Sequence, residues 1–169
     1  MGEATHITVA VLTVSDRCAA GVTGDRSGPV VAALARDRLR ATVTATAVVA
    51  DDRDAIARQL RGWAHADTTA PDLILTTGGT GLAPRDVTPE ATAGVLDRRH
   101  PALLELARLR CFPATPKAFL SRGEAGTIHR TLVVNLPGSP AGASEVLTAL
   151  LDVLPHAIRM VRGTDTNHG

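Results

Sequence analysis

A chain of 169 residues, 44% hydrophobic and 21% charged, has the size and make-up of one soluble globular domain that buries a core without disulfides or a structural metal. A formal net charge of +1 and an aromatic content of 2% exclude a broad basic face and a base-stacking platform, and with them a nucleic-acid-binding role. Cys18 and Cys111, far apart and in no C-x-x-C pair, read as reduced thiols.

The apolar run HITVAVLTVS (6–15) is too short for a membrane span or a signal peptide. Its β-branched residues predict a buried strand, and the expectation is a cytoplasmic protein with no membrane association. GPVVAALARDRL (28–39) predicts a helix with Pro29 in its first turn. TVTATAVVA (42–50) alternates as a strand, and residues 52–65 have helical spacing through Ile56, Leu60 and Trp63. DLILTT (72–77) is the third predicted strand. Thr88 as N-cap and Pro89 as first helical residue open a helix expected over PEATAGVLDRR (89–99).

PALLELARLRC (101–111) predicts another helix, and its Leu103, Leu104, Leu106 and Leu109 suit either the core or a subunit contact. The Pro- and Gly-punctuated stretch from Phe112 to Thr131 gives no clear period, apart from a short extended piece over 118–121. TLVVNL (131–136) is a fourth strand, and a final helix follows with Ser139 as N-cap and Pro140 at its start. One domain is expected over 5–162, with a frayed tail over 163–169. Strands alternating with helices imply right-handed crossovers and a mainly parallel sheet, so the expected fold is a three-layer α/β/α sandwich.

Each predicted strand runs into a loop of chemical character: SDRCAAGVTGDRSG, DDRD, GGTGLAPRD and PGSP. In a parallel sheet these loops share the carboxyl edge, where open α/β sheets bind ligands. Gly78, Gly79, Thr80 and Gly81 form either a tight turn or a nest of backbone N–H groups for an anion, and the PGSP loop is a second such place at a helix start. Asp51 and Asp52 suit helix capping, Asp86 suits a solvated loop, and Asp16 or Asp25 suits a turn. Carboxylates converging on a phosphate-binding rim also suit Mg²⁺, which takes one or two of them together with phosphate oxygens.

Several other chemistries are set aside. There is no G-x-x-x-x-G-K-[ST] and Lys117 is the only lysine; no G-x-G-x-x-G is present; PGSPAG is not G-x-S-x-G; and the six histidines lack metal-ligand spacing.

SDR after the first strand, the Asp51-Asp52 pair, TTGGTG…RDVTPEAT, LSRGEAG and NLPGSPAGASE together resemble the molybdopterin-binding Mog/MoaB family of molybdenum-cofactor biosynthesis proteins, over nearly the whole chain. The resemblance implies a homotrimer that uses Mg²⁺ and ATP to adenylylate molybdopterin, releases pyrophosphate and hands the product to a molybdenum-insertion partner. It implies catalytic, Mg²⁺-holding roles for Asp51 and Asp86. The pterin-phosphate loop falls on Gly78 to Gly81, and further ligand-binding motifs fall on Ser15, Asp16 and Arg17, on Ser121 and Arg122, and on Asn135 to Ser139, including Pro137 and Gly138. Arg17, Arg85 and Arg122 are either phosphate clamps or surface arginines. Ala50 stands where the family commonly has proline, so a looser turn before Asp51 is expected. Two alternatives accompany the enzyme: a non-catalytic pterin-binding paralogue or scaffold, and a nucleotide-processing hydrolase like the competence-damage-type proteins.

Overall fold

The computed structural model describes residues 6–164. Strands β1 (Thr8–Val14), β2 (Thr42–Val49), β3 (Leu73–Thr77) and β6 (Thr131–Leu136) run parallel, while β5 (Ala125–Ile128) and β4 (Arg98–Arg99) extend one edge antiparallel. The order across the sheet is β2-β1-β3-β6-β5-β4. The chain leaves β1 towards β2 on one side and leaves β3 towards β6 on the other. The switch point therefore falls between β1 and β3.

The period-two alternation of the inner strands separates two cores. Val9, Val11, Leu73, Leu75, Leu132, Val134 and Leu136 face helices α2 (Ser27–Leu39), α5 (Pro101–Cys111), α6 (Pro140–Thr148) and α7 (Leu154–Arg162). Ala10, Leu12, Val14, Ile74 and Val133 face α3 (Arg53–Ala64) and α4 (Thr88–Ala93). Leu12, Ile56, Leu60, Leu73, Ile74 and Leu75 are fully buried, each contributing about 1.5–3 kcal/mol relative to exposure. The expected three-layer α/β/α sandwich is present. No helix among the described residues is long and apolar enough to cross a membrane.

Four expectations of local structure are corrected. The helix predicted over 89–99 stops at Ala93 because Gly94 caps it, its N–H bonding the carbonyls of Glu90 and Thr92, and Arg98–Arg99 form β4 instead. Thr88 is not its N-cap: the side chain is buried and donates to the Gly78 carbonyl at 2.9 Å. The extended piece over 118–121 lies mostly in a 3-10 turn, Pro116–Leu120, and β5 was not expected at all. Gly126 hides β5, since a Cβ there would sit 2.2 Å from the Arg98 carbonyl oxygen; the close approach of β4 demands the residue that weakens the strand signal. Finally, the last predicted helix, expected to run from Pro140 to Leu154, ends at Thr148, and a further helix that was not expected, α7, follows with Pro155 in its first turn.

On α5, Leu103 and Leu104 belong to the core, whereas Leu109 is 64% exposed. A four-residue helix α1 (Asp16–Ala19) forms after β1 with the Ser15 side chain accepting from the Cys18 N–H. Of the expected frayed tail, Gly163 caps α7 in the left-handed conformation, and residues 165–169 lie outside the described residues.

At the amino edge of the sheet, Asp72 ties three elements together. It accepts from the Thr8 N–H at 2.7 Å and the Thr8 hydroxyl at 2.6 Å, and from Arg162 Nε of α7 at 2.5 Å. Burial pushes its carboxyl up, but the bonds from Arg162 and Thr8 outweigh it, leaving the group below its ordinary value of 3.8. Its stabilising contribution is therefore complete above that value and fades as pH falls towards the lower folded value. Asp72→Ala should cost about 2–3 kcal/mol at neutral pH, since it leaves the largely buried Arg162 guanidinium without its counter-ion, with only the His6 carbonyl still bonded to it. Melting curves should show that the deficit shrinks below pH ~4.

Candidate active site at the carboxyl edge

The loop after β3 owes its shape to two glycines of positive φ, Gly78 at +104° and Gly79 at +64°. Gly78 packs against the end of β1, where a Cβ would lie 2.1 Å from the Val14 carbonyl oxygen. From there the chain turns so that the N–H groups of Gly79, Thr80 and Gly81 bond no acceptor among the described residues. Such N–H groups, in a loop that leads to the start of α4, form the donor set an anion needs.

These three residues line a cavity of about 530 Å³ together with Asp86, Ser121, Pro137, Gly138 and Ser139. Ser139 caps α6 by accepting from the Gly142 N–H at 3.1 Å. The two glycine-bearing loops touch: a Cβ on Gly138 would lie 3.1 Å from Gly78 Cα, and the Thr77 hydroxyl donates to the Pro137 carbonyl at 2.6 Å. Ser121 comes from the segment before β5, with its hydroxyl 3.4 Å from that of Thr80.

Beside the cavity, a second group of residues joins the ends of β1 and β2. The Asp51 carboxylate accepts the Asp16 N–H at 2.9 Å, and the Asp16 carboxylate accepts the Asp51 N–H at 3.0 Å. This reciprocal pair fixes the turn after β2. With Asp52 N–H also bonded to the Ala50 carbonyl at 2.7 Å, the turn is not the loose one expected of Ala50. Capping falls to Asp52, which accepts from the Ala55 N–H at 2.7 Å, and the turn before α2 falls to Asp25, which accepts from the Gly28 N–H and the Thr13 hydroxyl. Asp51 is left facing the glycine loop, its Oδ1 3.0 Å from where a Gly79 Cβ would stand.

Burial pushes the Asp51 carboxyl up, and the charges of Asp16 and Asp86 add to this while the Asp16 N–H and Arg85 oppose it. Asp16 is held low, first by its hydrogen bonds from Arg85 and then by the Asp51 N–H. A half-buried carboxylate raised in this way beside a second carboxylate and a phosphate-sized nest suits a cation. Among the described residues no three acidic, His or Cys side chains group as a complete metal cage. The donor set fits Mg²⁺ completed by phosphate oxygens, not a self-sufficient protein site.

Not every expected ligand faces the cavity. Arg122 is a loop brace: its guanidinium donates to the Gly81 carbonyl at 2.8 Å and the Asp86 carbonyl at 2.7 Å and pairs with Glu90, while its N–H bonds the Thr80 carbonyl. Asn135 is buried, donating to the Thr76 and Thr92 hydroxyls and accepting the Glu124 N–H, so it cross-links β3, α4 and β5 behind the site. Arg85 is paired with Asp16, Ser15 caps α1, and Arg17 is exposed on that helix. The Asp86 carboxylate holds its own loop through the Ala83 N–H at 2.9 Å. Sequence reasoning missed Thr88, whose buried hydroxyl bonds the Gly78 carbonyl behind the loop, and Lys117 and Thr115, which also line the cavity.

Comparison with known proteins points the same way. The chain matches the domain described as "Probable molybdopterin binding domain" over residues 10–156. It is 38% identical over 158 residues to the molybdopterin adenylyltransferase of Helicobacter pylori J99, covering 93% of this chain and 89% of that one. It is 41% identical to the molybdenum cofactor synthesis protein cinnamon of Drosophila melanogaster over 92% of this chain, but spans only 26% of that protein's length. Among solved structures, the molybdopterin biosynthesis enzyme MoaB of Thermus thermophilus superposes with a TM-score of 0.86 at 49% identity, covering 93% of this chain and 97% of that one.

Proposed function

The chain belongs to the family of molybdopterin-binding domains, and from that premise we propose that it is a molybdopterin adenylyltransferase of molybdenum-cofactor biosynthesis. The observation that carries the reading is the junction at Gly79. This glycine lines the 530 Å³ cavity and at the same time abuts Asp51, so a pterin phosphate in the nest would lie beside a carboxylate outside the cavity.

In the proposed reaction an oxygen of the terminal phosphate of molybdopterin attacks the α-phosphorus of ATP. A new P–O–P bond forms, the α–β bond breaks, and pyrophosphate leaves. With a second pKa of about 6 the phosphate is already mostly dianionic at neutral pH, so no general base is required. The obstacle is charge: two unit charges at ~4 Å repel by roughly 4 kcal/mol at an effective dielectric near 20.

The N–H groups of Gly79, Thr80 and Gly81 hold the attacking phosphate, Ser121 and Ser139 frame it, and Arg122 keeps the loop in shape. Asp51 and Asp86 would hold Mg²⁺, which supplies positive charge to the triphosphate and to the leaving pyrophosphate. Positioning and charge stabilisation then account for the rate, as in phosphoryl transfer generally. A homotrimer and a molybdenum-insertion partner belong to the same proposal.

Purified protein incubated with molybdopterin, ATP and Mg²⁺ should release pyrophosphate only when the pterin is present. Binding of the pterin with no pyrophosphate would make the chain a non-catalytic paralogue, and ATP hydrolysis without pterin would make it a nucleotide hydrolase.

A further inference from the structure

We infer that Lys117 is a specificity residue for the proposed reaction, the cation in the lining of the cavity that meets the phosphate of the pterin. Lys117 is the only lysine in the chain and sits on the 3-10 turn Pro116–Leu120. Three charged side chains line the cavity: Asp86, Glu145 and Lys117. Of the arginines that sequence alone would nominate, Arg85 is occupied by Asp16 and Arg122 by Gly81, Asp86 and Glu90, while Arg17 does not line the cavity.

Glu145 makes the need for a cation concrete. Its carboxylate accepts the Thr115 hydroxyl at 3.0 Å, and after burial its charge is the next cause that pushes the Cys111 thiol on the same wall up. Without Lys117 the wall would present only negative charge to an incoming dianion. Among the described residues Lys117 has no ion-pair partner within salt-bridge distance, so its ammonium is available to a ligand. A compact ammonium on a flexible stem suits a phosphate as a point charge, without demanding bidentate geometry. The cavity thereby distinguishes a phosphorylated pterin from its dephosphorylated form, a discrimination the N–H nest alone would make more weakly.

This inference rests on the adenylyltransferase reading, and its test separates the two. Dissociation constants for molybdopterin and for dephospho-molybdopterin are measured for wild type, Lys117→Gln and Lys117→Arg, with ATP KM and melting temperature alongside. Lys117→Gln should weaken molybdopterin binding about tenfold or more, leave dephospho-molybdopterin binding and melting temperature unchanged, and be largely restored by Lys117→Arg. An unchanged affinity in Lys117→Gln, an equal loss for the dephosphorylated ligand, or a loss confined to ATP KM would each overturn the role of Lys117 while leaving the enzyme reading intact. Wild type that binds no molybdopterin would remove both.

Discussion

Asp51→Asn is expected to slow AMP transfer by roughly 10²-fold or more while leaving molybdopterin affinity close to wild type. The variant keeps an acceptor oxygen for the Asp16 N–H and its own N–H for the Asp16 carboxylate, so the turn after β2 survives. Asp51 does not line the cavity, so the pterin contacts survive too. What disappears is the negative charge, and with it the hold on a cation at the triphosphate.

The same substitution should make the unliganded fold more stable at neutral pH. Burial is the largest cause raising the Asp51 carboxyl above its ordinary value of 3.8, with Asp16 and Asp86 adding to it. A raised folded pKa means that the native state binds the proton more tightly than the unfolded chain does. Wild-type stability therefore falls as pH rises from the unfolded value through the folded one. Asparagine has no such dependence, and its melting temperature should exceed wild type above that window. Added Mg²⁺ and ATP should narrow the gap by stabilising wild type alone, through binding to the native state. Full activity in the variant would remove Asp51 from the mechanism, and a melting temperature of the unliganded variant below wild type above that window would overturn the stability prediction.

How far the chain could be read in advance depended on whether a feature was local. The four parallel strands were legible because Val, Ile, Leu and Thr cluster in short runs, and parallel pairing alone sends their trailing loops to one rim. The Asp16–Asp51 exchange of hydrogen bonds was not legible, since 35 residues separate partners that meet only because β1 and β2 are neighbours. Arg122 illustrates the opposite error. A conspicuous arginine beside a phosphate loop reads as a clamp, yet two carbonyls and Glu90 take its donors, and only coordinates reveal carbonyls as partners. Asn135 misleads in the same way, because the hydroxyls of Thr76 and Thr92 come from β3 and α4. In the sequence Lys117 speaks only against a P-loop; its place on a cavity wall depends on a turn whose proline-rich sequence has no readable period.

Gly78→Ala should prevent folding or lower the melting temperature by at least 10 °C, by the scale of about 2–4 °C per kcal/mol for a chain of this size. Two costs combine. A φ of +104° lies outside the left-handed region that a side chain tolerates, and holding alanine there costs about 1–3 kcal/mol. The Cβ would also overlap the Val14 carbonyl oxygen at 2.1 Å, and that oxygen cannot move away. It belongs to the end of β1, which is paired on both sides by β2 and β3, and Val14 itself is buried. Relief would have to come from withdrawing the whole glycine loop, which would take the Thr88 bond and the nest with it.

Two other glycines separate these costs. Gly21, at φ +71° with nothing within 4 Å of its Cβ position, carries the backbone cost alone, so Gly21→Ala should lose about 1 kcal/mol. Gly79, at φ +64°, would place its Cβ 2.4 Å from the Thr88 hydroxyl and 3.0 Å from Asp51 Oδ1, both side-chain atoms. Gly79→Ala should therefore fold with an intermediate penalty and lose AMP transfer through the displacement of Asp51. Calorimetry on the three variants should rank Gly21→Ala mildest and Gly78→Ala worst. If Gly78→Ala melted within a few degrees of Gly21→Ala, the loop would not be wedged against β1, and the nest at the switch point would lose its structural basis.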